Sequence, residues 1–229
     1  YFKGFAMTAF TAITAQNTKG VQSIYPLPKE IVIDQINSVM DDLTPDVVKI
    51  GMLADIDIIN YISTTINDHK IILDPVMVAT SGDILVNEEI IDSIKNNLLK
   101  KSFLITPNIY EAQILSGIKI NNLEDQIAAG KKLKNNGCAN VLIKGGHGNL
   151  EDIHDVLITS EEKQHIFKSK KIKSENTHGT GCTLASAIAT NIGHKNDITE
   201  SIDVSIKYVQ NGINKAPGFG SGNGPIRHF

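Results

Sequence analysis

The chain holds 229 residues, 41% of them apolar and 21% charged, with a formal net charge of −3 and a pI near 6.2. That length suits one large domain with a substantial core, and the composition excludes a disordered chain, a collagen and a nucleic-acid polycation. No apolar run approaches the roughly 20 residues of a transmembrane helix, and the N-terminal YFKGFAMTAF lacks a signal layout. The reading is therefore no membrane partner, no nucleic-acid partner, and a cytoplasmic setting by default.

Taken in order, the chain alternates short apolar runs with longer periodic segments. A first exit, Gln16-Asn17-Thr18, precedes a helix signal that begins at Pro28, where Val32, Ile36, Val39, Met40 and Leu43 form one stripe. Val47-Val48, Ile71-Ile72-Leu73, Phe103-Leu104-Ile105 and Val141-Leu142-Ile143 read as buried strands. Asn87 is placed to cap a helix carrying Ile90, Ile91, Ile94 and Leu98, and a last stripe runs Ile198, Ile202, Ile206, Val209 and Ile213. Strands alternating with helices of this length predict parallel pairing, because each crossover must cover a sheet face.

One stretch departs from that rhythm. Val156-Leu157-Ile158 and His165-Ile166-Phe167 flank a polar six-residue link, which reads as an antiparallel hairpin toward one sheet edge. The five lysines 163, 168, 170, 171 and 173 beside it, flanked by Glu161 and Glu162, read as a solvated face without function. Cys138 and Cys182 lie outside any disulfide or zinc-ligand spacing. Neither repeat nor linker marks a boundary, so residues 1–229 read as a single α/β domain: a mostly parallel sheet with helices on both faces.

In an open parallel sheet, ligands bind beyond the carboxyl ends of the strands. The exits are Gln16-Asn17-Thr18, Lys49-Ile50-Gly51-Met52, Asp74-Pro75-Val76-Met77, Thr106-Pro107-Asn108 with Glu111, and Lys144-Gly145-Gly146-His147. All five are expected along one rim, where carboxylates, a lysine and glycines suit a magnesium polyphosphate. Plainer readings stand beside these. Asp74-Pro75 is also a turn former, Lys144 is also a solvated strand end, and Asn108 with Glu111 is also a helix cap with its reciprocal acid.

The segment Asn176-Thr177-His178-Gly179-Thr180-Gly181-Cys182-Thr183, followed by a run of small residues, has the layout of an anion site at a helix start. It matches neither the GxxxxGK[ST] nor the GxGxxG pattern. Cys182 in the first turn is either a small buried filler or a thiol that the helix dipole draws below the free value of about 8.5.

These strings, NTHGTGCT together with TAQNTKGVQ, KIGMLA, LDPVM, ATSGD, TPNIYEA and VLIKGGH in one order, resemble the bacterial hydroxymethylpyrimidine and phosphomethylpyrimidine kinases of thiamine biosynthesis, which have the ribokinase-like fold. The resemblance spans essentially the whole chain. It implies ATP-dependent phosphorylation of 4-amino-5-hydroxymethyl-2-methylpyrimidine and then of its monophosphate. Gln16, Met52 and Val76 match pyrimidine-pocket positions, and Asp74 and Glu111 the acidic positions tied to Mg2+. Lys144 matches the nucleotide-side lysine, and Thr106 and Asn108 are grouped with it. Gly179, Thr180 and Gly181 match the anion hole, and Cys182 the catalytic base. A homodimer is expected, as in similar kinases. The family's first strand and glycine-rich loop are missing before Tyr1, so the sequence is read as partial. Pyridoxal kinase, or a non-catalytic ligand-binding protein of the same fold, are the alternatives.

Overall fold

The computed structural model describes residues 1–66, 68–77, 86–146 and 152–229. His147 and the ATSGD segment singled out above lie outside the described residues. The first strands, β1 (Ala12–Asn17) and β2 (Gly20–Pro26), pair antiparallel with each other as a separate two-stranded sheet. This corrects the reading of Gln16 as an exit of the main sheet. The reason is local: only Thr18 and Lys19 join the two runs, a link that closes a hairpin and is far too short for a crossover.

Helix α1 (Lys29–Asp42) follows, with Val32 and Ile36 of the stripe buried. The four apolar runs then become β3 (Val47–Ile50), β4 (Lys70–Leu73), β5 (Ser102–Ile105) and β6 (Asn140–Ile143), all parallel. The hairpin read from sequence is β7 (Asp152–Ile158) and β8 (Gln164–Lys170), which add antiparallel to β6 and complete a sheet ordered β3-β4-β5-β6-β7-β8.

Because successive parallel strands advance in one direction, crossovers of one hand lay their helices on one face. These are α2 (Ile56–Thr65), α3 (Glu88–Ser93), α4 (Ile109–Ser116) and α5 (Leu123–Asn135). With α1 they pack on Ile50, Ile71, Leu73, Ile105, Val141 and Ile143. The opposite face presents the alternating partners Ile72, Leu104, Leu142 and Leu157 to α6 (Thr180–Gly193) and α7 (Ile198–Asn214). Ile72 is completely buried in that second core, so truncating it to Ala would cost about 2 to 5 kcal/mol. The stripe after Asn87 is broken into α3, a π-helical turn Ile94–Leu98 and a 3-10 turn Leu99–Lys101, yet Ile90, Ile94 and Leu98 all remain buried. No helix among the described residues is long and apolar enough to cross a membrane.

Candidate active site

Three main-chain bonds carry the parallel ladder past the strand ends and fix the exits in register, and a fourth closes a turn within one of them. The Asp74 N–H donates to Ile50 O, Thr106 N–H to Leu73 O, Lys144 N–H to Pro107 O, and Val76 N–H turns back to Asp74 O. Asp74, Thr106 and Lys144 therefore stand side by side. Lys144 Nζ donates to Asp74 Oδ1 at 2.8 Å, and Thr106 Oγ1 donates to the same oxygen at 3.2 Å. Asp74 Oδ2 is buried without a hydrogen-bond partner and lies 4.0 Å from Lys49 Nζ.

Burial works to raise the Asp74 pKa, but the Lys144 and Lys49 ammonium groups, with the hydrogen bonds from Lys144 and Thr106, outweigh it and hold the carboxyl below its usual range. Burial likewise works against the charge on Lys144, and Asp74 and Glu111 more than restore it. The site thus holds a buried charged pair with one carboxylate oxygen to spare.

The start of α6 closes this rim. Asp55, Asn87, Asn108, Asn122 and Asp197 cap α2, α3, α4, α5 and α7 with their side chains, whereas α6 begins at Gly179 with no side-chain cap. Gly179 adopts φ 78°, a left-handed conformation that costs other residues energy. Thr180 N–H returns to Thr177 O and Thr183 N–H to Gly179 O, while the Gly181 and Cys182 amides have no partner among the described residues. A Cβ on Gly181 would stand 3.3 Å from Lys144 Nζ and 4.0 Å from Asp74 Oδ2, so the helix start and the charged pair form one site.

Cys182 is exposed at that helix start, which removes the buried-filler reading. Its thiol is nevertheless not drawn down. Withdrawal from solvent by the surrounding protein and the nearby Asp74 raise its pKa, against the opposing pull of Lys49 and Lys144. The expectation of a dipole-stabilised thiolate is corrected accordingly: desolvation and an adjacent carboxylate outweigh one helix end.

Glu111 is buried, and it does form the capping box: its Oε2 accepts from Asn108 N at 2.8 Å while Asn108 Oδ1 accepts from Glu111 N at 2.9 Å. Its other oxygen faces Met77 N at 3.4 Å. Burial raises its pKa, partly offset by Lys144. No group of three or more metal-ligating side chains occurs among the described residues. The donor set nevertheless fits a magnesium ion shared with phosphates, which asks for only one or two carboxylates: Asp74 Oδ2 is left over, and Glu111 keeps spare lone pairs.

On the acceptor side, Met52 and Val76 are half-buried beside the exits of β3 and β4, and Thr11 Oγ1 donates to Met52 O at 3.0 Å. Gln16 is exposed on the small hairpin sheet and makes no hydrogen bond to these exits among the described residues. Its hairpin reaches the site by another route. The turn at Thr18 lies against Gly220 and Gly222, and Gly224 O accepts from His178 N, directly before the anion-hole segment. The glycine-rich tail is therefore packed between the hairpin and the start of α6.

Two supporting residues carry no sequence signal strong enough to be singled out. Asp155 is buried on β7 and accepts from Gly145 N at 2.7 Å, and Gln126 Nε2 donates to both Ile143 O and His154 O. Together they hold the Lys144 strand end against β7. Lys49, at the exit of β3, carries as its one sequence signal a lone charge inside the run Val47–Ile50.

Comparison with known proteins extends this geometry. The chain is 39% identical over 230 residues to the hydroxymethylpyrimidine/phosphomethylpyrimidine kinase of Bacillus subtilis, covering 98% of this chain and 84% of that one. The crystal structure of phosphomethylpyrimidine kinase from Clostridium difficile 630 superposes with a TM-score of 0.80 at 35% identity, over 91% of this chain and 87% of the other. The pyridoxal kinase of Staphylococcus aureus in complex with AMP-PCP superposes with a TM-score of 0.90 at 26% identity, over 99% and 84%. These superpositions give this chain, with its mostly parallel sheet and flanking helices, the ribokinase-like fold. Phosphomethylpyrimidine kinase is also the family whose sequence model matches residues 1–227, and the chain belongs to it.

Proposed function

We propose that this chain transfers the γ-phosphoryl group of ATP to the hydroxymethyl oxygen of 4-amino-5-hydroxymethyl-2-methylpyrimidine and, in a second turnover, to the phosphate of the resulting monoester, serving thiamine biosynthesis. The observation that carries the reading is the meeting of Asp74, Lys144 and the uncapped α6 start within a few ångströms. It concentrates an ammonium and free backbone donors where negative charge develops on a transferring phosphoryl group.

Lys144 steadies the nucleotide phosphates, with Thr106 and Asn108 shaping the same exit. The Gly179 to Cys182 backbone receives the equatorial oxygens. Asp74 with Glu111 would hold Mg2+, which supplies charge neutralisation across the triphosphate. Met52, Val76 and Gln16 line the pyrimidine side, with Gln16 brought in by its hairpin. Cys182 accepts the hydroxyl proton of the first acceptor from its thiolate form, while the phosphate acceptor of the second step is already an anion and needs little help from a base. AMP-PCP bound to the S. aureus neighbour supports the nucleotide assignment. The two unpaired cysteines suit a reducing, cytoplasmic setting, residues 1–229 act as one domain, and two copies form a homodimer.

The experiment is an ADP-release assay with ATP and Mg2+ on the pyrimidine, its monophosphate and pyridoxal. Turnover of both pyrimidines is the expected result. The superposition on pyridoxal kinase favours a second reading, vitamin B6 phosphorylation, which turnover of pyridoxal alone would establish. ADP formation with none of the three would leave only a binding protein.

A further inference from the structure

Asp74 is flanked by two ammonium groups, one at each carboxylate oxygen. Lys144 is bonded to Oδ1 and lies against Gly181, on the side of the anion hole. Lys49 stands at Oδ2, at a distance of 4.0 Å that is too long for a hydrogen bond. Its ammonium rests instead over the backbone of Gly51, where an added Cβ would come within 2.8 Å of Nζ. That places it beside Met52, which the kinase reading above puts on the acceptor side of the carboxylate. The Lys49 side chain is 20% exposed, so its charge is held at the cleft rather than spread into solvent, and it acts electrostatically on Cys182.

A structural lysine in such a place would be expected to close on the free oxygen of Asp74. This one stands at ion-pair distance from that oxygen and makes no hydrogen bond to it, which leaves Asp74 Oδ2 without a hydrogen-bond partner. The charge count explains why that arrangement is useful. Lys144 and the α6 amides already serve the donor phosphates, and the reaction proposed above has two acceptors of different charge: a neutral alcohol and a phosphate monoester that is close to a dianion at pH 7. Both meet the anionic triphosphate, but only the second is itself an anion, and its approach needs a positive group on the acceptor side.

We propose that Lys49 is the acceptor-phosphate residue: its ammonium binds the monoester phosphate in the second transfer and has no equivalent partner on the hydroxymethyl group in the first. This rests on the kinase reading above. In the second step a monoester oxygen forms the new bond to the γ-phosphorus, the bond from that phosphorus to the β–γ bridging oxygen breaks, and ADP leaves with the electron pair. No proton needs to be removed from the dianion. Lys49 contributes by lowering the repulsion between the two anions, and it sets how well the enzyme takes its own first product as its second substrate.

The test compares wild type, K49Q and K49R in steady-state kinetics on the pyrimidine and on its monophosphate, together with calorimetric titration of the monophosphate into each protein without nucleotide. In K49Q, kcat/KM on the monophosphate falls by about 10- to 100-fold, chiefly through KM, and the calorimetric affinity falls in parallel. The loss on the unphosphorylated pyrimidine is several times smaller, and K49R recovers most of the monophosphate activity because it keeps the charge. Equal losses on both acceptors, or unchanged monophosphate affinity, overturn the proposal while leaving the kinase reading intact. A wild type inert toward both pyrimidines removes the kinase reading and this inference with it. Should K49Q not fold, the charge-keeping K49R decides on the same two acceptors. Because K49R keeps the charge, its retention of most of the activity on both acceptors supports the role. A K49R loss on the monophosphate as large as that caused by removing the charge in a second neutral variant, K49M, or equal losses of K49M on both acceptors, refutes it.

Discussion

Lys144 Nζ meets Asp74 Oδ1 at 2.8 Å across 70 positions of sequence, because their strands leave the sheet two places apart with β5 between them. Both groups are ionised by virtue of each other: burial opposes the charge on each, and the partner restores it. Removing one member strands the other as an unpaired charge in a site that must also receive phosphates. D74N and K144M are each expected to lower kcat/KM by about 10² to 10³ in the ADP-release assay. The double variant should lose little more than either alone, since the two act as a unit.

The Cys182 thiol sits above its ordinary pKa, so at neutral pH most of it carries its own proton. A base in that state works through its small thiolate fraction. The rate of the first transfer should therefore climb as pH rises above neutrality, while the second transfer, whose acceptor is already an anion, shows no matching climb. C182A is expected to cost about 10² to 10³ in the first step, to cost less in the second, and to abolish the alkaline rise. Iodoacetamide labelling of the wild type gives an independent reading: its pH midpoint should lie above that of free cysteine. Equal losses in both steps would refute the role.

The architecture was legible because buried parallel strands require unbroken β-branched and apolar runs. Ile71-Ile72-Leu73 and Val141-Leu142-Ile143 could be nothing exposed, and Asn87 and Asn108 cap helices where their side chains suggested. The exits followed from topology, which is why Asp74, Thr106 and Lys144 stood together. What sequence could not supply was the balance of desolvation against charge. The helix start alone argued for a lowered Cys182 pKa, and only the folded neighbourhood, with Asp74 close by, reverses the sign. Gln16 was misplaced because an apolar run before a polar exit looks alike in a hairpin and in a sheet strand until the two-residue link is given its due. Asp155 and Gln126 act on main-chain groups distant in sequence, a role no side-chain pattern announces.

Glu111 belongs both to the capping box of α4 and to the acidic side of the site, and two substitutions separate those duties. N108A removes the side-chain acceptor of the cap and should cost about 1 kcal/mol of stability in urea denaturation. E111Q keeps a group able to accept from the Asn108 N–H, so stability should change by less than about 1 kcal/mol. If its charge helps hold Mg2+, E111Q should instead raise the Mg2+ concentration needed for half-maximal activity by about tenfold. An unchanged Mg2+ requirement would leave Glu111 as a cap alone.

Asp155 is a buried carboxyl whose pKa is pushed up to about 6, mainly by burial, with relief from the Gly145 N–H and Lys144. A folded-state pKa above the unfolded one means that folding favours the protonated form. Its contribution is fully present below the unfolded value near 3.8 and is lost as pH rises toward about 6. Relative to D155N, the wild type should therefore lose up to about 3 kcal/mol of stability between pH 4 and 6.5, with Asn retaining an oxygen for Gly145 N–H. Urea midpoints measured across that interval check the sign. A wild type that gains on D155N over the same interval would contradict the burial argument.

The hairpin sheet leaves large apolar groups in water. Ile13 and Tyr25, which face each other across β1 and β2, are 58% and 64% exposed. Phe10, 61% exposed, is fixed to α1 by two hydrogen bonds with Gln35, and Gln35 also bonds the backbone of Ile31. Apolar surface held in place by such bonds is suited to a partner, and in the proposed homodimer it is covered by the second copy. Sedimentation of the wild type should show a dimer, and I13D/Y25D should sediment as a monomer. Neither residue packs in the two main cores, so the variant should keep the wild-type far-ultraviolet circular dichroism. A monomeric wild type, or a variant that remains dimeric, would place the interface elsewhere or remove it.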